Sequence, residues 1–242
     1  MMTSATSRRD QQRSERASFV RACCRLRPVP LAPEIRLYLA DEAFSIWEEI
    51  ERESGGQETP PPFWAFAWPG GQALARYLLD RPDVVAGRSV LDIGSGSGLA
   101  AIAAARAGAS AVTASEIDSL AAAAITLNAR ANSAAVTVTG DILDGDGAGA
   151  DVVLAADVWY DRNLAGRTLQ LLRRARRRGA GVLLGDIGRS FLPLAALSEL
   201  AAYDVPVAAE LEDAEVKRAM IFALRPLASP AQQSSGCGVI AA

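Results

Sequence analysis

With 242 residues, half of them hydrophobic, the chain has enough apolar surface for one substantial core. A formal charge of -3 and a pI near 5.2 argue against a general nucleic-acid binder, and the complete lack of histidine excludes imidazole acid/base catalysis, Ser-His triads and most transition-metal sites. There is no run of about 18 uncharged apolar residues for a membrane span and no apolar secretion core near the start, so a soluble, cytoplasmic protein without membrane partners is expected.

Residues 1–27 carry seven arginines (Arg8, Arg9, Arg13, Arg16, Arg21, Arg25, Arg27) against Asp10 and Glu15. This segment reads as a disordered basic tail. The alternative, from its Arg- and Ser-rich character, is a transit peptide that would place the protein in the mitochondrial matrix. Cys23, Cys24 and Cys237 are odd in number and have neither disulfide-framework nor zinc-site spacing, so no metal is expected. After the prolines of 28–33, Phe44, Trp47 and Ile50 recur with acids between them and predict a short amphipathic helix over Asp41–Glu53. A loop at Gly55–Pro62 precedes a second helix at Gly71–Asp80, stopped before Pro82.

From Ser89 the pattern becomes regular: SVLDI, a helix at Leu99–Ala107, AVTASE, a helix at Ser119–Ala131, then AVTVT. Strand and helix alternating this closely predict a parallel sheet with right-handed crossovers. Asp151–Ala156, Gly181–Gly185, a weaker segment near Val205–Leu211 and Arg218–Leu224 continue the strands, with helices expected at Asn163–Arg178 and Phe191–Ala202. The last two strands are joined too closely for a helical crossover, so that pair must be antiparallel. The expected organisation is a single domain over 28–227, with an N-terminal helical cover at 28–88 and a core at 89–227. A disordered tail follows at 228–242.

In an open parallel sheet the ligand sits beyond the carboxyl ends of the strands, beside the first strand-to-helix turn. That turn is VLDIGSGSG, where Gly94, Gly96 and Gly98 follow Asp92 and leave bare backbone for a ligand to approach. A dinucleotide fingerprint would require Gly or Ala at position 99, which is Leu99. Glu116 ends the second strand, where a carboxylate accepts ribose hydroxyls, and Asp118 is placed to cap the next helix. Asp157, near the end of the fourth strand, is an alternative helix cap, but Asp161 suits that role better. The five arginines within 173–178 read as a solvated helix end complementing the dipole.

The spacing D-x-G-x-G-x-G resembles the first motif of class I S-adenosylmethionine-dependent methyltransferases. That resemblance implies a Rossmann-like α/β fold with a mostly parallel seven-stranded sheet, an antiparallel last strand and S-adenosyl-L-methionine as cofactor. It assigns Asp92, Gly94, Gly96, Gly98 and Glu116 to the cofactor, with Asp141 at the adenine amino group and Ile142 on the ring. DVWY resembles the D-x-x-Y motif of methyltransferase family 16, implying that Asp157 and Tyr160 are catalytic. Asp157 would orient the acceptor amine, and Tyr160, with Trp64 or Trp159, would wall a lysine channel by cation-π contact. WPGG resembles the family segment lying over the donor, which assigns Trp68 and Gln72 to the cofactor; plain packing suits Trp64 and Trp68 equally well.

The segments at Leu31–Phe44, Pro62–Asp80 and Gly185–Pro193 resemble the electron transfer flavoprotein beta subunit lysine methyltransferases, over about Leu26–Arg225. One departure is Ile187, where the resemblance leads to proline. The implied reaction is protein-lysine N-methylation with that beta subunit as partner. The alternatives are a nicotinamide-like small-molecule N-methyltransferase, a ribosomal protein L11 methyltransferase, or an inactive nucleotide-binding module.

Overall fold

The computed structural model describes residues 3–53, 55, 59–207 and 214–226. Its centre is a seven-stranded sheet built from β3 (Ser89–Ile93), β4 (Ala111–Ser115), β5 (Thr137–Thr139), β6 (Val152–Ala156), β7 (Gly181–Asp186), β8 (Leu197–Pro206) and β9 (Val216–Leu224), in the order β5-β4-β3-β6-β7-β9-β8. Strands β5 to β7 pair in parallel, and β9 runs antiparallel between β7 and β8. The chain moves outward from β3 to β5 and returns to β6 on the other side of β3. That reversal opens a crevice at the carboxyl ends of β3 and β6.

Alternation along the strands divides the core between the two faces of the sheet. Val90, Val152 and Leu154 join one apolar cluster with α3 (Pro69–Asp80) and α4 (Leu99–Arg106). Leu91, Ile93, Val153 and Ala155 join the other with α6 (Arg162–Arg177). Helix α4 is fully buried from Leu99 to Ala104, and its alanines let it lie close to both sheet and α3. The cap of α5 (Ser119–Ala131) is Asp118, which accepts from the Leu120 amide at 2.7 Å; Asp161 caps α6 by accepting from the Leu164 amide at 2.8 Å.

The N-terminal cover contains more than helices. Helix α1 (Thr3–Cys23) leads into an antiparallel pair, β1 (Arg25–Pro28) and β2 (Arg36–Leu39), followed by α2 (Ala43–Glu53). The basic segment at 1–27 is therefore ordered structure over its described residues, in place of the disordered tail that its charge suggested. Phe19, Val20 and Cys24 are buried in a third apolar cluster with Ile46, Trp64 and Ala124 of α5, and this burial anchors it. Two buried asparagines, Asn128 in α5 and Asn132 at its C-cap, hold β2: Asn132 Oδ1 accepts from the Arg36 amide at 2.9 Å and Asn128 Oδ1 from the Tyr38 amide at 2.8 Å.

The segment Phe191–Ala202 is not the expected helix. A short 3-10 turn at Leu194–Ala196 leads directly into β8, whose register against β9 shifts between Glu199 and Ala201. The weak strand read at Val205–Leu211 is the end of β8, and its last residues lie outside the described ones. The tail at 228–242 and Cys237 also lie outside them. Among the described residues no helix is long and apolar enough to cross a membrane.

Candidate functional site

The glycine-rich turn joins β3 to α4, with Gly94, Gly96 and Gly98 all in the left-handed region at φ 59°, 53° and 84°. Their surroundings differ. A Cβ on Gly94 would lie 2.8 Å from Val158 Cγ1 and one on Gly98 would lie 3.2 Å from Ile125 Cγ2, so the protein itself crowds those two positions. At Gly96 nothing comes nearer than Trp64 Cα at 3.9 Å, and this glycine alone of the three faces open space.

Asp92 lies beneath the turn, 2% exposed. It accepts from the Ser95 hydroxyl in a short hydrogen bond and from the Ala101 amide at 3.2 Å, tying the turn to α4. Burial pushes its carboxyl up to about 7 against the opposing pull of those two donors. The position expected to contact a cofactor is thus a brace for the turn that would.

Glu116 leaves the end of β4 and returns to the turn. Its Oε2 accepts from the Gly96 amide at 2.9 Å, while Oε1 accepts from the Ile117 and Asp118 amides at 2.7 and 3.0 Å. Beyond β5, Asp141 accepts from the Leu143 amide at 2.9 Å and pairs with Arg167 Nη2 at 2.9 Å. These two donors, the backbone one first, hold its carboxyl below the usual range. Ile142 is half-buried beside the α6 cluster. The residues expected at strands two and three therefore sit along the same edge as the turn.

Asp157 follows β6 with a positive φ of 57°, rare for a residue with a side chain. Its carboxylate accepts from the first amides of α3, Gly70 at 3.2 Å and Gly71 at 2.7 Å, and from Arg189 Nη1 at 2.5 Å. Burial is the main influence and raises its carboxyl to about 7; Arg189 and the two amides oppose this, and neighbouring Asp186 adds to it. Asp186 ends β7 with no exposed surface and accepts from the Gly188 and Arg189 amides, both at 2.7 Å.

Aromatic rings flank this carboxylate. The Arg189 guanidinium stands over the Trp68 ring at 5.8 Å, and Trp68 Nε1 donates to the Phe63 carbonyl at 2.7 Å. Phe63 lies 5.8 Å from Trp68 and 5.3 Å from Tyr160, centroid to centroid. Phe63 is 41% and Tyr160 50% exposed, so these rings form a rim that a visiting side chain can reach. Burial, foremost, raises the Tyr160 hydroxyl above its ordinary value.

Three predicted site residues do not reach this rim. Trp159 has no exposed surface and packs among Leu143, Leu171 and Leu184, while its neighbour Tyr160 is half exposed. Trp64 is 2% exposed and belongs to the cluster with Phe19 and Ala124. Gln72 is 1% exposed; its amide donates to the Ala67 and Pro206 carbonyls and accepts from the Leu31 amide, so it fastens the cover to α3 and β8 and is not directed at a cofactor. Phe63, Asp186 and Arg189 were not singled out, although the aromatic run FWAFAW and the polar GDIGR loop after the fifth strand contained the signal. A separate cavity of about 720 Å³, lined by Arg88, Asp151, Arg178 and Gly181 among others, lies at the opposite end of β3, β6 and β7 and holds no predicted site residue.

Residues 72–158 match the family model described as ribosomal protein L11 methyltransferase. The electron transfer flavoprotein beta subunit lysine methyltransferase of Xenopus laevis is 37% identical over 205 residues, covering 81% of this chain and 82% of that protein. The Danio rerio protein of the same description is 42% identical over 163 residues, covering 66% of this chain but only 62% of its own length. A solved candidate RNA methyltransferase of Pyrococcus horikoshii shares the fold at a TM-score of 0.51 and 15% identity, over 74% of this chain and 98% of that one. On sequence and fold together, the chain belongs to the electron transfer flavoprotein beta subunit lysine methyltransferase family.

Proposed function

We propose that this chain is an S-adenosylmethionine-dependent methyltransferase acting on a lysine side chain of the electron transfer flavoprotein beta subunit. The carrying observation is the open backbone at Gly96 with Glu116 against it, facing Asp157 and the exposed ring of Tyr160 across the ends of β3 and β6. A side chain at Gly96 would fill that space, and the Glu116 carboxylate held at the Gly96 amide suits a ribose better than a phosphate. Glu116 would accept the ribose hydroxyls, and Asp141 with Ile142 would hold the adenine. Gly94 and Gly98 serve by shaping the turn. When bound, S-adenosylmethionine supplies a methyl group made electrophilic by its sulfonium.

The acceptor amine must arrive neutral, and a free lysine with pKa about 10.4 is neutral only about one part in a thousand near pH 7.4. Water is the route by which that proton leaves. Three of the roughly four acceptor positions of the Asp157 carboxylate are filled by Gly70, Gly71 and Arg189, which leaves one for an amine N–H. In that position Asp157 would orient the amine and stabilise the positive charge that grows on nitrogen. Phe63, Trp68 and Tyr160 would present ring faces to the same cation. The half-exposed rim at Phe63 and Tyr160 favours a lysine offered from a protein surface over a small amine sealed in a pocket.

The test is incubation of purified protein with labelled donor and the electron transfer flavoprotein beta subunit, with ribosomal protein L11 and nicotinamide in parallel. Label on lysine of the beta subunit supports the reading; label only on either other acceptor moves the substrate, and no label together with no S-adenosylhomocysteine binding by calorimetry removes it.

A further inference from the structure

We propose that Arg189 is a positioning residue of the acceptor site, whose guanidinium grips the Asp157 carboxylate, favours its charged form and fixes the direction it presents to the incoming amine. This rests on the methyltransferase reading above, since it assigns the loop after β7 a part in the same site. Three fixed contacts define the arrangement. Arg189 Nη1 meets Asp157 Oδ1 at 2.5 Å, the guanidinium stands over Trp68 at 5.8 Å, and the Arg189 backbone amide is held by Asp186 Oδ1 at 2.7 Å. The side chain is 15% exposed, so solvent screens the pair weakly.

The charged groups around Asp157 make the need for this cation plain. Arg189 and Asp186 come from the end of β7 and its loop, Asp186 being 3.7 Å from the same guanidinium nitrogen. Helix α3 contributes only the Gly70 and Gly71 amides. Farther out, Glu116 and Asp161 act on Tyr160 and add negative charge to the same mouth. With Arg189 in place the buried Asp157 carboxyl already sits at about 7; without it, facing Asp186, the carboxyl would hold its proton to still higher pH and be largely neutral at pH 7. It would then hold the amine poorly and leave the developing ammonium without its counter-charge. With Arg189 present the site also carries a positive charge beside the acceptor, which offsets the tendency of Asp157 to keep that amine protonated.

The experiment follows Asp157 directly by NMR titration of aspartate labelled with carbon-13 at the carboxyl, the resonance assigned with D157N, in the wild type, R189Q and R189K, after circular dichroism has established folding. In R189Q the Asp157 titration is expected to move up by about one pH unit or more, and in R189K to stay within about half a unit of the wild type. The acidic limb of turnover on the beta subunit should move with it, costing R189Q about fivefold or more near pH 7 and recovering toward pH 9, and R189Q should add no further shift in a D157N background. An unmoved Asp157 titration in folded R189Q overturns the proposal, as does an upward shift in R189K, which also decides the matter if R189Q does not fold. A wild type that methylates nothing would sink the functional reading while the titrations still decide the role of Arg189.

Discussion

Gly70 and Gly185 lie so close across the seam between α3 and β7 that a Cβ on either would collide with the other's carbonyl oxygen. This closeness brings the amino end of α3 down onto the sheet, where its first free amides reach the Asp157 carboxylate. The same seam carries the hydrogen bond from the Asp157 amide to the Gly185 carbonyl at 3.0 Å. Gly185→Ala should therefore destabilise the fold by about 1 to 3 kcal/mol and lower turnover beyond what the lost stability explains. Thermal melts together with turnover of the folded fraction check this; a variant with unchanged melting and activity would mean that the seam relaxes freely.

The three glycines of the turn should separate in the laboratory as they do in space. All three have positive φ, so an alanine at any of them costs about 1 to 2 kcal/mol of backbone strain. Gly94→Ala adds a collision with Val158, so its loss should appear chiefly in stability. The Cβ of Gly96→Ala meets nothing nearer than Trp64 Cα at 3.9 Å, so this variant carries the backbone strain alone and should remain foldable while S-adenosylhomocysteine affinity falls at least about tenfold, the methyl group filling space meant for the ligand. Calorimetry against S-adenosylhomocysteine alongside melting curves distinguishes the two, and full affinity in Gly96→Ala would contradict the placement of the ligand.

The elements that were legible in advance are those in which local and long-range preferences agree. Helix α5 spans Ser119–Ala131 as read, because an Asp cap, an alanine-rich body and burial under the cover all favour the same state. Strand β8 stands where a helix is expected because Leu, Ala and Glu are helix formers, and because the register shift around Leu200 breaks the period-two alternation that marks a strand. Pairing with β9 outweighs those propensities. At the site, the motif acids and glycines follow from the family resemblance that their spacing carries, but neither says which side of a chain faces the crevice. Trp159 and Tyr160 are neighbours in sequence with opposite fates, and Asp92, which the resemblance assigns to the cofactor, turns under the glycine-rich turn to accept from Ser95 and Ala101. Phe63 and Arg189 are more than a hundred residues apart, so only folding brings them to one rim.

That opposite fate is itself testable. Trp159→Ala removes a fully buried side chain from the α6 cluster and should cost about 3 to 5 kcal/mol of stability. Tyr160→Ala removes a ring that is half in solvent and should leave the melting temperature nearly unchanged while lowering turnover on the protein substrate at least about tenfold. Equal destabilisation by the two would mean that Tyr160 is a packing residue like its neighbour.

Asp92 should give the fold a measurable pH dependence. Its carboxyl lies at about 7 in the folded protein, raised first of all by burial, against about 3.9 in an unfolded chain. The folded state thus binds the proton more tightly, so this residue's contribution to stability is complete below about pH 4 and is lost as the pH rises through about 7. Asp92→Asn keeps an oxygen to accept from Ser95 and Ala101 but cannot ionise. The difference in melting temperature, variant minus wild type, should therefore become more positive between about pH 4 and pH 7 and level off above, reflecting a stability change of a few kcal/mol, the order of the linkage expected for such a shift. Taking the difference cancels the opposite trend of Glu34 and Asp151, whose carboxyls are held low by their hydrogen bonds and are the same in both proteins. A difference that stays flat with pH would show that Asp92 ionises in the folded protein as easily as in the unfolded one, and that the turn is hydrated beneath rather than sealed.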